Sequence, residues 1–314
     1  MRSLLRRAAL LSVCAFAFAV PAAADPVALP DADDVVGVGG GQAQPLFDAL
    51  ALAYNGGAPA ALLANWDAAG PSPIVPRDGA DPIDRPGGTA AGVAELNRAG
   101  STVDFVRRVD SLSVADPGFG VLHLPFASDW VGYVTAPTTN SPGLLLAADL
   151  KRVFECTATT WHQLRAGQSG QTIEPVLPRA DTGTRRAFLA QINVTTPGAC
   201  VTEVAENDPA PFAGAPNRIG PFAQSAYKLL PPAKPVRLWD LVRAPLRVYV
   251  VVRDTNGGPR GNGGVPAALQ PLFGTGIPGP DGTDVGWVCG PQARPAITAR
   301  GLNQLPVGQC GKAV

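Results

Sequence analysis

The 314-residue sequence predicts an α/β fold with a largely parallel sheet. Short β-branched runs alternate along the chain with segments of helical periodicity, which is the pattern of strand–helix units. The most apolar run, residues 246–252, is a continuous hydrophobic stretch typical of a buried strand. Three glycine- or threonine-rich loops that each open onto a helix support the same fold class.

These three loop–helix units predict one shared ligand site. The loops are residues 39–42, 87–89 and 182–184, and the helices that follow them are residues 45–54, 90–98 and 185–192. Pro45 stands in the first turn of its helix, where a missing N–H costs no hydrogen bond. Ligands of α/β proteins lie where the carboxyl ends of strands meet helix N-termini, so the three loops are expected to converge.

The loop Thr182-Gly183-Thr184 indicates that the ligand is an oxyanion. The first N–H groups of a helix have no internal partner, and together with the helix dipole they attract anions. Gly183 allows a close approach of the backbone, and the two threonines can cap the helix or donate their hydroxyls. The alternative is an ordinary capped helix with no ligand. The presence of two further loops of the same kind favours anion binding.

The remaining periodic segments complete the predicted elements. Further strands are expected at residues 102–106, 121–126, 130–135 and 172–176. Further helices are expected at residues 59–66, 144–154, 221–230, 266–270 and 292–300, with a glycine-rich turn at residues 257–264.

The N-terminal 24 residues predict an exported protein. Three arginines precede an apolar run at residues 8–20, and Ala22-Ala23-Ala24 forms a small-residue cleavage site, so cleavage is expected after Ala24. The apolar run is shorter than the roughly 20 residues that a membrane-spanning helix needs. Cys14 leaves lipid anchoring open as an alternative, although it lies in the middle of the apolar run.

The four cysteines after this signal predict two disulfides, because an even count in an exported chain favours pairing. Three pairings are possible. Cys156–Cys200 and Cys289–Cys310 are preferred because each closes a loop within one half of the chain.

Charge and motifs exclude several classes of function. Removal of the three signal arginines leaves 22 basic residues against 25 acidic ones, a mildly acidic balance that argues against nucleic-acid binding. His123 and His162 lack metal-ligand spacing, so neither a metal nor a cofactor is expected. The sequence has none of the common nucleophile or phosphate-loop motifs, so we do not expect an enzyme.

Three arginines are further candidates for the site. Arg107 or Arg108 could clamp an anion, but neighbouring strand residues face opposite sides, so at most one is expected in the cleft. Arg185 lies in the first turn of its helix, where a cation is unfavourable unless an anion compensates it.

An ordered set of motifs resembles the phosphate ABC transporter substrate-binding proteins, in particular their divergent actinobacterial members. The motifs are Gly37–Gln42, Arg85–Gly92, Val103-Asp104-Phe105, Leu124–Asp129, Leu150–Trp161, Thr182–Arg185, Glu206-Asn207, Tyr249–Arg253 and Cys289…Cys310-Gly311. They cover essentially the whole chain after the signal.

The resemblance implies the type II periplasmic binding protein fold. In this fold two lobes, each a mostly parallel sheet flanked by helices, are joined by two crossover strands, here expected near residues 124–130 and 246–253. Lobe I would comprise residues 25–125 and 250–314, and lobe II residues 126–249, after the signal at residues 1–24. The preferred disulfides would then lie one in each lobe.

The resemblance and the loops together imply a ligand-binding set: Gly41, Gln42, Gly88, Thr89, Arg107, Asp110, Thr182, Gly183, Thr184 and Arg185. Three positions depart from the family pattern, one of them being Arg179, which lies one residue closer to the Thr182-Gly183-Thr184 loop than the family's arginine does. Gly41-Gln42 stands where the family carries a hydroxyl residue, and Arg107–Asp110 replaces a segment containing serine and aspartate. A carboxylate acceptor distinguishes protonated phosphate from fully ionised sulfate, and Asp110 could supply it.

The resulting hypothesis is an exported, monomeric solute-binding protein that captures phosphate or a similar oxyanion for an ABC permease. One alternative is a sensor or interaction protein of the same fold that has lost phosphate binding. The other is a phosphoester hydrolase of related fold.

Overall fold

The computed structural model describes residues 25–111, 120–255, 264–277 and 284–314. The predicted export signal with Cys14, and most of the predicted glycine-rich turn, lie outside these residues. No helix in the described part of the chain is both long and apolar enough to cross a membrane.

The described residues form nine strands and eight α-helices, joined by short 3₁₀ turns. The strands are β1 Val35–Gly39, β2 Leu63–Asn65, β3 Phe105–Asp110, β4 Val121–Thr135, β5 Glu174–Leu177, β6 Thr202–Glu203, β7 Arg218–Ala223, β8 Arg237–Arg253 and β9 Asn303–Gln304. The helices are α1 Gln44–Asn55, α2 Thr89–Leu96, α3 Ala147–Phe154, α4 Trp161–Leu164, α5 Gly183–Gln191, α6 Gln224–Leu229, α7 Gln270–Phe273 and α8 Arg294–Ala299.

A mixed sheet runs through the molecule in the order β2-β1-β3-β8-β4-β7-β5-β6, and β9 pairs with β4. The pairs on both flanks are parallel: β1 with β2 and β3, and β5 with β6 and β7. The central pairs, which involve β4 and β8, are antiparallel. The α/β class is therefore confirmed, with parallel pairing confined to the flanks.

The two long strands β4 and β8 connect the flanks. They pair with each other from Val121↔Arg253 to Thr135↔Arg237, with irregularities at Pro125/Ala127 and Val131/Tyr133. The first expected crossover, residues 124–130, lies within β4, and the second, residues 246–253, is the C-terminal part of β8. The sequence predicts two strands at residues 121–126 and 130–135, whereas the structure has one.

Separate hydrophobic clusters fill the two sides of this central pair. On the side of β1 and β3, Phe105 packs against Phe47 and Phe273 with ring centroids 5.5 and 5.1 Å apart. On the side of β5 and β7, Phe154 and Phe188 stack edge-to-face at 5.1 Å beside the fully buried Trp161. Each half of the sheet thus has its own core.

Both preferred disulfides are confirmed. Cys156 is bonded to Cys200 and Cys289 to Cys310. The first closes a loop beside α3, and the second ties the turn before α8 to the C-terminal segment.

One predicted helix is wrong and another begins later than predicted, in both cases because sheet pairing overrides local periodicity. Residues 59–66 are not helical, since β2 forms there and pairs in parallel with β1. Residues 221–230 begin as β7, which pairs with β4 from Ala223 to Ile219, and become helical only at α6.

Candidate functional site

A cavity of about 1120 Å³ lies where the carboxyl ends of β1 and β3 meet the N-termini of α2 and α5. It is lined by Gly40–Ala43 after β1, Gly87–Ala91 with Val93, Ala94 and Asn97 on α2, Arg108–Ser111 on and after β3, Val121 and His123 on β4, Arg179, Asp181–Gly183, Arg186 and Ala190 at α5, and Glu206. The loops that the sequence singles out therefore meet at one cavity.

The N-terminus of α2 opens onto the cavity through Gly88 and Thr89. Gly88 is the extended N-cap residue, and the first N–H groups that follow it have no acceptor within the helix. The Thr89 hydroxyl donates to the Arg107 carbonyl at 3.3 Å, a contact that ties the start of α2 to β3. What α2 offers to a ligand is therefore mainly its backbone N–H groups.

The N-terminus of α5 approaches the end of β3 closely. Thr182 caps the helix, because its hydroxyl oxygen accepts from the Arg185 N–H at 3.4 Å while the hydroxyl donates to the Arg179 carbonyl at 2.9 Å. A Cβ atom at Gly183 would lie 2.4 Å from the Val109 carbonyl oxygen. Only glycine allows this approach without a backbone shift.

Thr184 lies behind the cavity lining. It is fully buried, and its hydroxyl oxygen accepts from the Gln42 side-chain amide at 2.9 Å. Gln42 itself lines the cavity. Thr184 thus holds Gln42 across the cleft, a link between the loop after β1 and the first turn of α5.

An acid between two arginines forms the charged part of the cavity. The Asp110 carboxylate accepts from Arg108 at 2.7 Å and from Arg186 at 3.0 Å. Burial disfavours the ionised carboxylate, but the hydrogen bonds from Arg186 and Arg108 outweigh this and hold the pKa of Asp110 below its usual value. Arg108 is also 3.3 Å from the Nε2 atom of His123.

The neighbouring arginines, Arg107 and Arg185, turn away from the cavity. Arg107 is fully buried and donates to Asn65 and to the Trp66 and Gly39 carbonyls. Burial lowers its pKa to about 10. Arg185 donates to the Pro178 carbonyl at 2.8 Å. Of these neighbouring arginines, Arg108 and Arg186 line the cavity, whereas Arg107 and Arg185 of the predicted ligand set do not.

Glu206 is a cavity residue absent from the predicted ligand set. Burial raises the pKa of its carboxyl, and hydrogen bonds from the Thr184 hydroxyl and backbone N–H only partly offset that effect. Its Oε1 atom is buried without a hydrogen-bond partner in the part of the chain that the structure describes. Glu206-Asn207 is one of the motifs that carry the family resemblance, but the sequence does not show that the Glu206 carboxyl lines the cavity.

Metal chemistry finds no support in the described residues. Among residues 25–111, 120–255, 264–277 and 284–314, no group of three His, Cys, Asp or Glu side chains is placed to hold a metal ion.

Arg179 and Asp181 at the cavity rim pair with each other at 3.0 Å and are both largely exposed.

Solved structures of phosphate-binding proteins share this architecture. An ABC-type phosphate transport receptor from Vibrio cholerae superposes with a TM-score of 0.57 at 15% identity, over 87% of this chain and 100% of that one. A putative phosphate ABC transporter substrate-binding protein with bound phosphate from Clostridium perfringens gives the same values. PstS from Borrelia burgdorferi gives 0.51 at 11% identity, over 87% and 99%.

This chain has the type II periplasmic binding protein fold. The similarity spans nearly the whole length of each of these proteins, which agrees with the resemblance in motif order. No protein-family model and no curated protein sequence matches the chain. At this level of identity the similarity establishes the fold, and the function rests on the geometry of the site.

Proposed function

We propose that the chain is an exported solute-binding protein that captures a small oxyanion and delivers it to an ABC importer. Phosphate is the oxyanion that we propose as its ligand. The observation that carries this proposal is the convergence of the α2 and α5 N-termini and the glycine turn after β1 on one cavity that also holds Arg108 and Arg186. Helix N-termini and arginine forks are the groups that proteins use to bind phosphate.

The charge of the site suits an anion. Arg108 and Arg186 share the single carboxylate of Asp110, so one positive charge remains uncompensated by that group. The Arg179–Asp181 pair adds no net charge. Glu206, the other acid of the lining, balances this charge when it is ionised, so the attraction comes from the charge-assisted hydrogen bonds that a bound anion accepts from the guanidinium groups and from the N–H groups at the helix N-termini.

The contacts across the cavity suggest how anion binding closes the two lobes. We assign residues 25–125 and 250–314 to one lobe and residues 126–249 to the other, so that Arg186–Asp110 and Gln42–Thr184 join the lobes. An anion that contacts α2 and α5 together favours the closed arrangement by the free energy of those extra contacts. A permease would recognise this closed form.

Glu206 is the better acceptor for a protonated oxyanion. Both oxygens of Asp110 are already engaged, by Arg108, Arg186 and the Ser111 N–H. The Oε1 atom of Glu206 is available to accept from the O–H of phosphate, whereas sulfate at neutral pH has no proton to donate. The cleft should therefore prefer phosphate to sulfate.

Isothermal titration with phosphate tests this proposal. The affinity of the mature chain is compared with the affinities of two variants at neighbouring arginines. Arg186→Ala should weaken phosphate binding at least about tenfold, because a charge-assisted hydrogen bond contributes about 1.5–3 kcal/mol. Arg185→Ala is the matched control and should change the affinity less than about twofold, because its guanidinium bonds to Pro178 outside the cavity.

Two results would contradict the proposal. If a ligand-free preparation binds neither phosphate nor sulfate, the chain is not an oxyanion carrier, and a sensor or interaction protein of this fold becomes the leading interpretation. If the two variants lose affinity equally, the assignment of Arg186 to the site is wrong.

A further inference from the structure

The cavity is a cleft partly open to solvent, and it has more room than an inorganic oxyanion needs. Its volume is about 1120 Å³, while a water molecule takes about 30 Å³ in the liquid. A tetrahedral anion of five heavy atoms occupies about the volume of only a few water molecules. Clefts of roughly 300–1000 Å³ are typical of sites for organic ligands.

The extra space runs along α2. Ala90, Val93, Ala94 and Asn97 all line the cavity, at the i, i+3, i+4 and i+7 spacing of one helix face. At 1.5 Å per residue this face extends about 10 Å from the N-terminus of α2 to its C-cap. The side chains along it are small, and those of Ala94 and Asn97 are exposed to the cleft.

The floor of the cavity follows the same direction. Asp110 and Arg108 lie near the helix N-termini, and His123 and Val121 continue the floor along β4. Val121 pairs with Arg253, whose guanidinium donates to the Ser101 and Val103 carbonyls just beyond α2. The cavity therefore has a charged end at the helix N-termini and an arm with mainly small or apolar walls that ends near Asn97.

We propose that the ligand is a phosphomonoester of a short polyol, an inference that rests on the proposed function and extends it. The phosphoryl group occupies the charged end, where it accepts from the first N–H groups of α2 and from the guanidinium groups of Arg108 and Arg186. The carbon chain lies against Ala90, Val93 and Ala94. A terminal hydroxyl reaches the side-chain amide of Asn97.

Titration of the mature chain with inorganic phosphate and with glycerol 3-phosphate tests this inference. Glycerol 3-phosphate should bind at least as tightly as phosphate. Ala94→Leu fills the arm without touching the charged end. It should therefore weaken the binding of glycerol 3-phosphate about tenfold and change the affinity for phosphate less than about twofold. Ala148→Leu, at an exposed position on α3 outside the cavity lining, is the matched control and should change neither.

Asn97→Ala gives a second variant that does not depend on filling the arm. It should weaken the binding of glycerol 3-phosphate severalfold and leave the affinity for phosphate unchanged, because only the ester reaches Asn97. Melting temperatures of all variants report whether the fold is intact.

The outcomes separate this inference from the proposed function. If phosphate binds but glycerol 3-phosphate does not, or if folded Ala94→Leu affects both ligands equally, the phosphomonoester is excluded and the oxyanion proposal stands. If neither ligand binds, the oxyanion proposal itself fails, and this inference fails with it.

Discussion

At the scale of single residues, two pairs of adjacent arginines show how side-chain direction assigns a role. Arg107 and Arg108 are neighbours on β3 and therefore face opposite sides of the sheet. Arg107 is enclosed by polar acceptors in the core, while Arg108 reaches Asp110 in the cavity. Arg185 and Arg186 are separated in the same way by the rotation of about 100° per residue along α5.

Glu206 gives the residue-scale prediction about specificity. Glu206→Gln should reduce the preference for phosphate over sulfate about tenfold, because an amide N–H can donate to sulfate while the carboxylate can only accept. The pKa of Glu206 is raised above its ordinary 4.5, so the carboxyl becomes protonated as the pH falls through that raised value. Sulfate binding by the unsubstituted protein should strengthen over the same fall in pH.

Titrations with both anions between about pH 4.5 and 8 measure this effect, and the variant is expected to lose the part of the pH dependence that is due to Glu206. A sulfate affinity that is independent of pH in both proteins would exclude Glu206 as the acceptor.

At the scale of elements, the approach of α5 to β3 is the contact on which the site most depends. The first turn of α5 packs on the Val109 carbonyl without a side chain between them. Val109 is also where the two large cores meet, because it packs against both. A shift of α5 at this point would displace Thr182 and Arg186 together.

Gly183→Ala should therefore weaken anion binding at least about tenfold, since the added methyl carbon meets the Val109 oxygen at 2.4 Å and forces α5 away from β3. Isothermal titration measures the affinity, and circular dichroism checks that the fold is retained. Gly170→Ala is the control, because a Cβ atom added there would have no described atom within 4 Å. Wild-type affinity in folded Gly183→Ala would show that this close contact is not required.

At the scale of the whole molecule, the paired strands β4 and β8 hold two separately packed cores together, and each core has its own disulfide. Cys289 and Cys310 belong to the core of β1 and β3. Cys156 and Cys200 join the end of α3, which packs in the other core, to the segment before β6. The disulfides thus stabilise different halves of the molecule.

Removal of each disulfide should destabilise the protein by an amount that depends on loop length. In the chain-entropy model the loss is about 4 kcal/mol for the Cys156–Cys200 pair and about 3 kcal/mol for the Cys289–Cys310 pair. The sequence separations are 44 and 21 residues. Urea unfolding of the two double Cys→Ser variants measures these losses. A variant as stable as the oxidised protein would show that its disulfide does not constrain the unfolded chain.

Local patterns in the sequence are sufficient to predict much of the fold. The glycine turn after β1, the start of α2 and the capped start of α5 are all signalled by residues within a few positions of each other. The observed cysteine pairing is the one, of three possible pairings, that closes the most local loops. The prediction fails at residues 59–66 and misplaces the start of the helix at residues 221–230, because helical periodicity there competes with pairing to β1 and β4, and those partners are distant in sequence.

The sequence by itself determined the α/β class, the three loops and the number of disulfides, because each depends on short-range chemistry or on a count. Only the tertiary structure decided which arginine of each pair faces the cavity, that Thr184 lies behind Gln42, and that Glu206 joins the site. Those facts depend on strand register, helix rotation and burial. These are set by contacts between segments far apart in the sequence, such as the Gln42–Thr184 hydrogen bond, whose partners are 142 residues apart.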